Sequence, residues 1–504
     1  MTTRLRMCRN RPEPDSPGGR TRAHVRGALA ALAAATFALL SPPPAAAQLN
    51  FSLTAVGPQN VAQGRSLYVA VTATLLSGTS PTSIPITVSG LPSGATVSFP
   101  DIGGGSNVMW SLPTATTVQI NTQATTPLGS STLTVTVTAG SVSRSVTFPM
   151  TVTAPPTPLS RQVYATPTTA PQLDAWKANM TQIGQSMCAQ FANQTLTMDQ
   201  KLNLVFYDAQ RVFYNIRDYT GAGSWDSCAL SAQAVYRDSY VVPNGGKVPG
   251  YFDFPHGIYQ SYLRAGDASS KAALVSLSRN AAFGTGSVGG VYAMVSPAVS
   301  REVAFNLSAY LLARAVGEPS SPIGEAYVEL ALGHIDQWFV AKNYRVTGGD
   351  VPAAALGQFY TQPFMVGLTA EALIQFYETR SQDPRIPAAI KVAMDWLWAN
   401  AWDASTQSFW YELYGPALGP LQPGSPAGSP DLSLLIAPAF AWVYKQTGDP
   451  VYRDRADAIF AGGVARGCAS CDGKHFNQQY RWSFDYLKWR NPTAVAAPTG
   501  LSVR

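Results

Sequence analysis

An acid and a histidine stand three residues apart in the segment YFDFPHGIYQSYLRAGD, at Asp253 and His256. The segment reads as the start of a helix, where residues three apart share one face. A carboxyl group and an imidazole held side by side can move protons as a general acid and base. The same residues also fit structural roles, with Asp253 as a helix cap and His256 as a satisfied core histidine.

Other polar residues recur at matching places along the chain. Five long aromatic patterns read as helices that run into a turn, and KHFNQQYRWSFDYLKWR gives a sixth. Polar residues fall near the start of each pattern, whereas the later turns are mostly apolar. In chain order these are Asp208 and Arg211; Asp253 and His256; Arg301, Glu302 and Asn306; Gln362; Asp431; and His475, Asn477, Gln478, Tyr480 and Arg481. We expect these residues to form a ring of polar groups.

Some of these residues also have local explanations. Glu302 suits the dipole of a helix start, and Asp208 with Arg211 fits a local ion pair. Trp482 is the candidate ring for stacking on a ligand, although tryptophans belong to the core by default. His334 falls on a second-half helix, where a structural role or a surface position is expected.

The helices that carry these residues repeat as hairpins. The turn landmarks Gly221, Gly266, Gly317, Asp383 and Gly448 lie about 45 to 66 residues apart. Glycine ends a helix in a left-handed cap, and an acid followed by proline or small residues starts the next helix. A repeat of this length predicts a stacked or closed array of helical hairpins. An open α-solenoid is the competing fold, but the spacing varies and long Gly/Pro loops intervene.

The junctions TGDPVYRDRAD and RAGDASSKAALV resemble those of the six-hairpin glycosidase superfamily and of the related toroidal polysaccharide lyases. This resemblance implies an (α/α)6 toroid over residues 170–491. It also implies a polysaccharide or oligosaccharide substrate, bound where the first-half helices start.

Two reactions fit such a site. Hydrolysis needs two carboxyl groups, and we expect Asp253 as the general acid and Glu302 as the base, with His256 orienting the acid or binding a sugar hydroxyl. Asp208 and Asp431 are the other carboxyl candidates. Elimination from a uronic acid polymer needs a base and a proton donor, together with groups that neutralise the sugar carboxylate. His256 or His475 would be the base and Tyr480 the acid, with Arg301 and Asn306 on the carboxylate. A non-catalytic carbohydrate-binding or surface protein is the third alternative.

A region of different amino-acid composition precedes the helices. Residues 49–153 are rich in Ser, Thr, Val and Gly, with short alternating runs such as LYVAVTATL and TLTVTVTAG that predict an all-β sandwich. GLPSGATVSFP and TTPLGSSTLTVTVTAGSVSRSVTFPMTVT resemble bacterial immunoglobulin-like accessory domains of secreted enzymes. The resemblance implies a spacer or binding module, and this segment has no His or Cys. The chain is therefore multidomain: an all-β immunoglobulin-like sandwich, a Pro-rich linker at 154–169, and the toroid.

The first 47 residues have the composition of a signal peptide. Seven arginines precede the apolar run GALAALAAATFALL, and small residues before Gln48 fit a cleavage site. Its removal lowers the formal charge from +6 to about +1. The net charge therefore gives no reason to expect a nucleic acid as a partner. We expect a secreted or periplasmic protein with no transmembrane segment, because the apolar run is too short to span a bilayer. The end, 492–504, resembles the start of a fibronectin type III domain.

Four cysteines remain after the signal segment. Export favours disulfides, and the natural pairs by proximity are Cys188 with Cys228 and Cys468 with Cys471. Three connectivities are open, and the CASC motif also fits a redox or metal role. No phosphate-binding glycine loop, HExxH, GxSxG or calcium loop occurs, so neither cofactor nor metal is expected. We expect a monomer.

Overall fold

The computed structural model describes residues 47–102, 106–155, 170–286, 290–468 and 471–490, which belong to one compact unit. The expected signal segment (apart from residue 47), most of the Pro-rich linker and the fibronectin-like tail lie outside these residues. Within the described ranges, no helix combines the length and the apolar composition that a bilayer span requires.

Residues 49–153 form two β-sheets. The strands are β1 Asn50–Val56, β2 Asn60–Ala62, β3 Ser66–Ser77, β4 Ile84–Ser89, β5 Thr96–Ser98, β6 Val108–Met109, β7 Thr114–Asn121, β8 Gly129–Ala139 and β9 Val142–Thr153. One sheet has the order β1-β3-β7-β5 and the other β2-β9-β8-β4-β6. Every pair is antiparallel except β2 with β9.

Alternation along the strands builds the core of this region. In β8, Leu133, Val135 and Val137 are buried, while the threonines between them are partly exposed. Successive side chains of a strand point to opposite faces, so the apolar residues collect on one side. They join buried residues of β3 and β7 in a single hydrophobic cluster. The predicted alternating strands are therefore present.

Helices dominate the rest of the described chain. They are α1 Leu173–Gln190, α2 Met198–Val205, α3 Ala209–Thr220, α4 Ser224–Gln233, α5 Pro255–Ala265, α6 Ala268–Asn280, α7 Ser300–Ala315, α8 Pro322–Ile335, α9 Pro363–Thr379, α10 Arg385–Asn400, α11 Ala437–Thr447, α12 Pro450–Arg466, α13 Gly473–Tyr480 and α14 Ser483–Arg490. π-helical segments Ala234–Val241 and Asp336–Val340 continue α4 and α8.

The helix ends follow the predicted turn chemistry. Gly221, Gly266 and Gly448 take left-handed conformations directly after α3, α5 and α11, where residues with a Cβ are disfavoured. Asp267 and Asp449 then cap α6 and α12 through their side chains. These expectations are confirmed.

Consecutive helices pack as hairpins. Contacting neighbours in the chain are α3 with α4, α5 with α6, α7 with α8, α9 with α10, and α11 with α12. The first helices of the hairpins also contact one another in order: α3 with α5, α5 with α7, α7 with α9, and α9 with α11. Helix α11 contacts α14, and α13 contacts α3. The starts of α3, α5, α7, α9 and α13 are thereby brought into one region.

Two expected single helices are each divided in two. The pattern NLVFYDAQRVFYNIRDYTG breaks between α2 and α3 because Tyr207 and Asp208 both have positive φ, at 64° and 70°. KHFNQQYRWSFDYLKWR breaks between α13 and α14, around Arg481 and Trp482.

Short strands β10 Phe359–Thr361, β11 Trp402–Asp403, β12 Ser408–Phe409, β13 Leu413–Gly415 and β14 Gln422–Pro423 occupy loops of the helical region. The sulfur atoms of Cys188 and Cys228 are at disulfide distance, as are those of Cys468 and Cys471. The first bond ties α1 to α4.

The β-sheet region is joined to the helices by polar contacts. The Asp336 carboxylate accepts hydrogen bonds from the Gln59 backbone N–H at 2.9 Å and from Asn60 Nδ2 at 2.7 Å. Asn343 Nδ2 donates to the Gly57 carbonyl at 2.9 Å. The β1–β2 turn is therefore anchored to the end of α8.

Candidate functional site

The helix starts carry a cluster of aromatic and charged side chains. We call it the helix-start cluster and define it by Tyr207, Tyr251, Arg301, Glu302, Tyr411, Asp431 and His475. Four of its members were predicted from the sequence: Arg301, Glu302, Asp431 and His475. The three tyrosines were not.

Tyr207 lies at the centre of this cluster electrostatically. Burial raises the pKa of its phenol above the usual 10, and the charges of Arg301 and Arg481 and a hydrogen bond with Gln478 oppose that rise. The Asp431 carboxylate, like burial, raises the pKa of Tyr207. Tyr207 is one of two consecutive non-glycine residues in the left-handed region, a costly backbone conformation that is typical of functional sites.

Arg301 and Glu302 begin α7 as a pair. The guanidinium of Arg301 donates to Glu302 Oε1 from Nε at 3.1 Å and from Nη2 at 2.7 Å. It also lies over the ring of Tyr251, 5.5 Å from the centroid. This cation–π contact holds Arg301 beside an aromatic ring that is 40% exposed. Glu302 is buried apart from a small edge.

Asp431 and His475 form the other side of the cluster. His475 Nδ1 is 2.8 Å from Asp472 Oδ1, and His475 Nε2 is 3.8 Å from Asp431 Oδ2. The hydrogen bond with Asp472 raises the pKa of His475. Burial raises the pKa of Asp431, against the opposing charge of His475. Both side chains remain about one-third exposed, at 32% for Asp431 and 38% for His475.

Exposed aromatic rings flank these charges. Tyr251 stacks on Phe206 with centroids 6.4 Å apart, and Tyr411 stacks on Phe364 at 5.5 Å. Both tyrosines are 40% exposed. Fixed, exposed rings next to carboxyl groups suit a ligand with one apolar face and several hydroxyl groups.

Beneath the cluster, an ion triad links three helical segments. Glu371, in the middle of α9, accepts from Arg211 of α3 at 2.6 Å and contacts Arg481 at 3.0 Å. Burial opposes ionisation of Glu371, but Arg481 and Arg211 together hold the pKa of its carboxyl below the usual value. The triad joins the break between α13 and α14 to α3 and to the middle of α9.

Asp208 joins the starts of α3 and α5. Its Oδ1 accepts from the Arg211 backbone N–H and its Oδ2 from that of Gly257, both at 3.1 Å. Burial raises the pKa of Asp208, while Arg211 and these hydrogen bonds oppose the rise. The carboxyl therefore serves as a cap and a bridge between two helices.

Asp253 and His256 are placed below the exposed face. Asp253 is fully buried, and neither carboxyl oxygen has a hydrogen-bond partner. Burial, reinforced by Asp208, raises the pKa of Asp253 well above its usual value, which favours the neutral carboxyl. His256 Nε2 lies 3.2 Å from Gln375 Oε1. Burial is the main reason that the pKa of His256 lies far below its usual value, and the positive charges of Arg211 and Arg481 lower it further.

The remaining sequence candidates are buried. Tyr480 donates to the Trp176 carbonyl at 2.8 Å, and Asn306 Nδ2 donates to the Ala282 and Glu302 carbonyls. Asn477 Nδ2 donates to the Leu204 and Phe206 carbonyls. Gln362 precedes α9 without capping it through its side chain, and Trp482 packs edge-on against Trp489. His334 is fully buried and bonds the Met294 carbonyl, as expected for a structural histidine.

Sequence reasoning missed Glu371 and the tyrosines for different reasons. Glu371 is the lone acid in the apolar run PFMVGLTAEALIQF, which is a signal for a buried charge with a distant partner. Tyr251 and Tyr411 carry no such signal, because tyrosine is common in this chain. Within the described residues, no group of three or more His, Cys, Asp or Glu is arranged to hold a metal ion.

No protein-family model matches this chain, and no curated protein matches it. Among solved structures, domains 4 and 5 of the S-layer protein SbsC align with 24% identity over 21% of this chain and 54% of that one, at a TM-score of 0.16. A family 76 glycoside hydrolase from a bovine Bacteroides thetaiotaomicron strain aligns with 10% identity over 83% of this chain and 78% of that one, at 0.29. A family 123 glycoside hydrolase from Clostridium perfringens aligns with 10% identity over 34% and 36%, at 0.16. Such scores assign neither a family nor a reaction to this chain.

Proposed function

We propose that the protein is a carbohydrate-active enzyme that hydrolyses glycosidic bonds at the helix-start cluster. The observation that carries the proposal is that Asp431 and the Arg301–Glu302 pair both lie near Tyr207, with exposed tyrosine rings beside them. Asp431 is half-buried and its pKa is raised by burial, whereas Glu302 is held by the Arg301 guanidinium. Two carboxyl groups with divided roles are what glycoside hydrolysis requires.

Asp431 is the proton donor in this proposal. Its raised pKa favours the protonated form that a general acid needs at the leaving oxygen. Glu302 acts as the carboxylate that activates water or attacks the anomeric carbon. Arg301 donates two hydrogen bonds to Glu302 and holds it in place, and Tyr251 and Tyr411 offer stacking surfaces to the pyranose rings. Asp253, our expected acid from sequence, has no place here because its side chain is fully buried.

Polysaccharide elimination is a second candidate, favoured by the surroundings of Tyr207. Its phenol lies in the field of Arg301 and Arg481 and interacts with Gln478. In a lyase, Arg301 would neutralise a uronate carboxylate, His475 would take the C5 proton, and Tyr207, whose raised pKa favours the protonated phenol, would serve the leaving oxygen. Tyr480 cannot take the donor role in this arrangement, because it is committed to the Trp176 carbonyl.

The test is an incubation of the chain from Gln48 onward with neutral and uronic polysaccharides, following reducing ends and the ultraviolet absorbance of unsaturated uronates together. Hydrolysis gives reducing ends without absorbance, and Asp431→Asn and Glu302→Gln should each lower kcat by about 100-fold or more. Asp199→Asn, at an exposed position in α2, is the matched control. Absorbance that disappears in Tyr207→Phe would establish elimination instead. No product, but retention of the protein on an immobilised polysaccharide, would indicate a binding protein.

We further propose the architecture that the sequence resemblances imply. The ordered contacts from α3 round to α13 support a closed (α/α)6 toroid, and the two sheets with one shared core support an immunoglobulin-like sandwich. The domain limits 49–153 and 170–491, the signal peptide 1–47 and export follow from the sequence. Paired cysteines within the described chain are in keeping with export.

A further inference from the structure

Helix α13 contacts Asp431 of the helix-start cluster at two points. Asp431 lies in the short 3₁₀ segment Pro430–Leu435, and its Oδ2 is 3.8 Å from His475 Nε2. One turn further along α13, Gln479 Nε2 donates to the Asp431 carbonyl at 2.9 Å. Residues four apart share one face of a helix, so a single face of α13 contacts both the backbone and the carboxyl of Asp431. The surroundings of this carboxyl therefore depend on how α13 begins.

Asp472 is the residue at which α13 begins, and its carboxyl binds His475 twice. Asp472 Oδ1 accepts from the His475 backbone N–H at 2.9 Å, as a helix cap does. The same oxygen lies 2.8 Å from His475 Nδ1. Because Nδ1 is bound to Asp472, the other ring nitrogen, Nε2, is the one that lies beside Asp431.

Two further contacts hold Asp472 itself. Asn203 Nδ2 of α2 donates to Asp472 Oδ2 at 3.3 Å. The preceding residue, Cys471, is at disulfide distance from Cys468, which follows α12. Both carboxyl oxygens of Asp472 therefore have partners, and the start of α13 is tied to α2 and to the end of α12.

The charges around His475 favour its protonated form. The hydrogen bond with Asp472 raises the pKa of His475, and so do the charges of Asp472 and Asp431, while partial burial and the Lys474 ammonium oppose the rise. Lys474 Nζ lies 5.6 Å from the centroid of the Phe206 ring, and α2 reaches this group with the neutral amide that contacts Asp472. In turn, the charge of His475 favours the ionised form of Asp431, against burial.

We propose that Asp472 is a positioning residue, which holds protonated His475 beside Asp431 so that His475 returns a proton to Asp431 after each cleavage. The inference rests on the proposed function, and on its single-displacement form, in which Glu302 activates water. Asp431 gives its proton to the leaving oxygen as the glycosidic C–O bond breaks, and a water that loses a proton to Glu302 forms the new C–O bond. Asp431 is then a carboxylate and needs a proton before the next turnover.

His475 is built to supply that proton. Its Nε2 gives a proton to the Asp431 carboxylate, and the neutral imidazole regains one from water, because its side chain is 38% exposed. Glu302 releases its proton to water, so the protons balance. The gap of 3.8 Å is longer than a hydrogen bond, but catalytic contacts often tighten only when substrate is bound.

The first experiment is an NMR titration of the histidines in the chain from Gln48 onward. Of its three histidines, His256 and His334 are buried and have lowered pKa values. The ring that titrates at the highest pH is therefore His475. Asp472→Asn keeps a capping oxygen but removes the charge, so it should lower the pKa of His475 toward the usual 6.5.

Asp454→Asn is the matched control for this titration. Asp454 lies in α12 with its side chain 64% exposed, and the change should leave the pKa of His475 as in the wild type. An unchanged pKa of His475 in Asp472→Asn would overturn the proposal, because Asp472 would then not hold the imidazolium.

The second experiment is the pH profile of cleavage, on a polysaccharide that the wild type hydrolyses. At about pH 5.5 His475 is protonated in both proteins, so Asp472→Asn should cleave within about twofold of the wild-type rate. At about pH 7.5 the variant should be roughly 5- to 10-fold slower, because a smaller fraction of its His475 is protonated. Asp454→Asn should follow the wild type at both pH values. A loss that is equal at the two pH values would reveal a merely structural role of Asp472 and would overturn the proposal.

The configuration of the first product separates this proposal from the proposed function. Single displacement inverts the anomeric carbon, and NMR of the fresh product should show the inverted anomer. Retention would leave hydrolysis intact but overturn the role of His475, because Asp431 would regain its proton from water in the second step. If the wild type cleaves no polysaccharide, the proposed function fails and the role of His475 fails with it.

Discussion

Two buried acids of the helical region, Asp253 and Glu371, are held in opposite protonation states. Glu371 has two guanidinium partners and stays ionised, whereas Asp253 has none and stays protonated. The difference follows from the cost of burying a charge, which only a close counter-charge offsets. One acid therefore crosslinks helices, and the other contributes a pH dependence to stability.

Asp253→Asn should remove part of the pH dependence of unfolding. The folded pKa of Asp253 is raised above its unfolded value near 3.9, so folding takes up a proton. Its contribution to stability is therefore present below that unfolded pKa and is lost as the pH rises toward the folded pKa. Denaturant unfolding should be measured at about pH 5 and pH 7.5. The free energy of unfolding of the wild type, relative to that of the variant, should be higher at the lower pH. A difference independent of pH would contradict a protonated Asp253.

Glu371→Gln should destabilise the fold strongly, because it leaves Arg211 and Arg481 buried without a counter-charge. Breaking a buried pair in this way costs about 3–5 kcal/mol of unfolding free energy. Glu318→Gln is the matched control, since Glu318 pairs with Arg279, whose side chain is 52% exposed, and we expect a loss below about 1 kcal/mol. Equal losses in the two variants would mean that the triad is not a structural crosslink.

At the scale of elements, the starts of α3 and α5 approach so closely that only glycine fits between them. A Cβ at Gly257 would lie 2.5 Å from Asp208 Oδ1 and 2.8 Å from the Arg211 nitrogen. Asp208 is also the residue that caps α3 and receives the Gly257 N–H. The packing of these two helices and the cap are therefore one unit.

Gly257→Ala should separate the two helix starts and lower the midpoint of thermal unfolding by several degrees, at a cost of about 1–3 kcal/mol for overpacking. Gly223→Ala is the control, because the nearest atom to its added Cβ would be 4.0 Å away. It should be neutral within about 0.5 kcal/mol. Differential scanning calorimetry of both variants decides the matter, and a harmless Gly257→Ala would show that the helices can move apart.

The sequence was informative where the physical cause is local. A left-handed glycine followed by a capping acid needs only adjacent residues, so Gly266 with Asp267 and Gly448 with Asp449 were predictable. The partner of Glu371 was not, because Arg211 lies 160 residues away in the chain. Asp253 was read as a cap or a catalytic acid, and only its surroundings reveal a buried carboxyl without partners. The break at Tyr207 and Asp208 could not be predicted either, because neither residue type by itself indicates a positive φ.

At the scale of the whole molecule, the β-sheet region is held against the helices through specific polar contacts. Asp336 binds both Gln59 and Asn60, and Tyr292 bonds Thr72 with an oxygen–oxygen distance of 2.6 Å. A module that serves only as a loose spacer has no need of such buried anchors. We therefore expect the two regions to unfold together in one transition.

Asp336→Ala should weaken this coupling. The change leaves the Gln59 N–H and the Asn60 amide at the junction without their acceptor, which costs about 1–3 kcal/mol. Calorimetry should show a lower first transition, with the β-sheet region separating from the helices, while Asp199→Ala, at an exposed position in α2, leaves the profile unchanged. A single transition at the wild-type temperature would mean that Asp336 does not hold the junction. If the coupling is lost but the proposed polysaccharide cleavage persists, the β-sheet region would stabilise the helical region without taking part in that reaction.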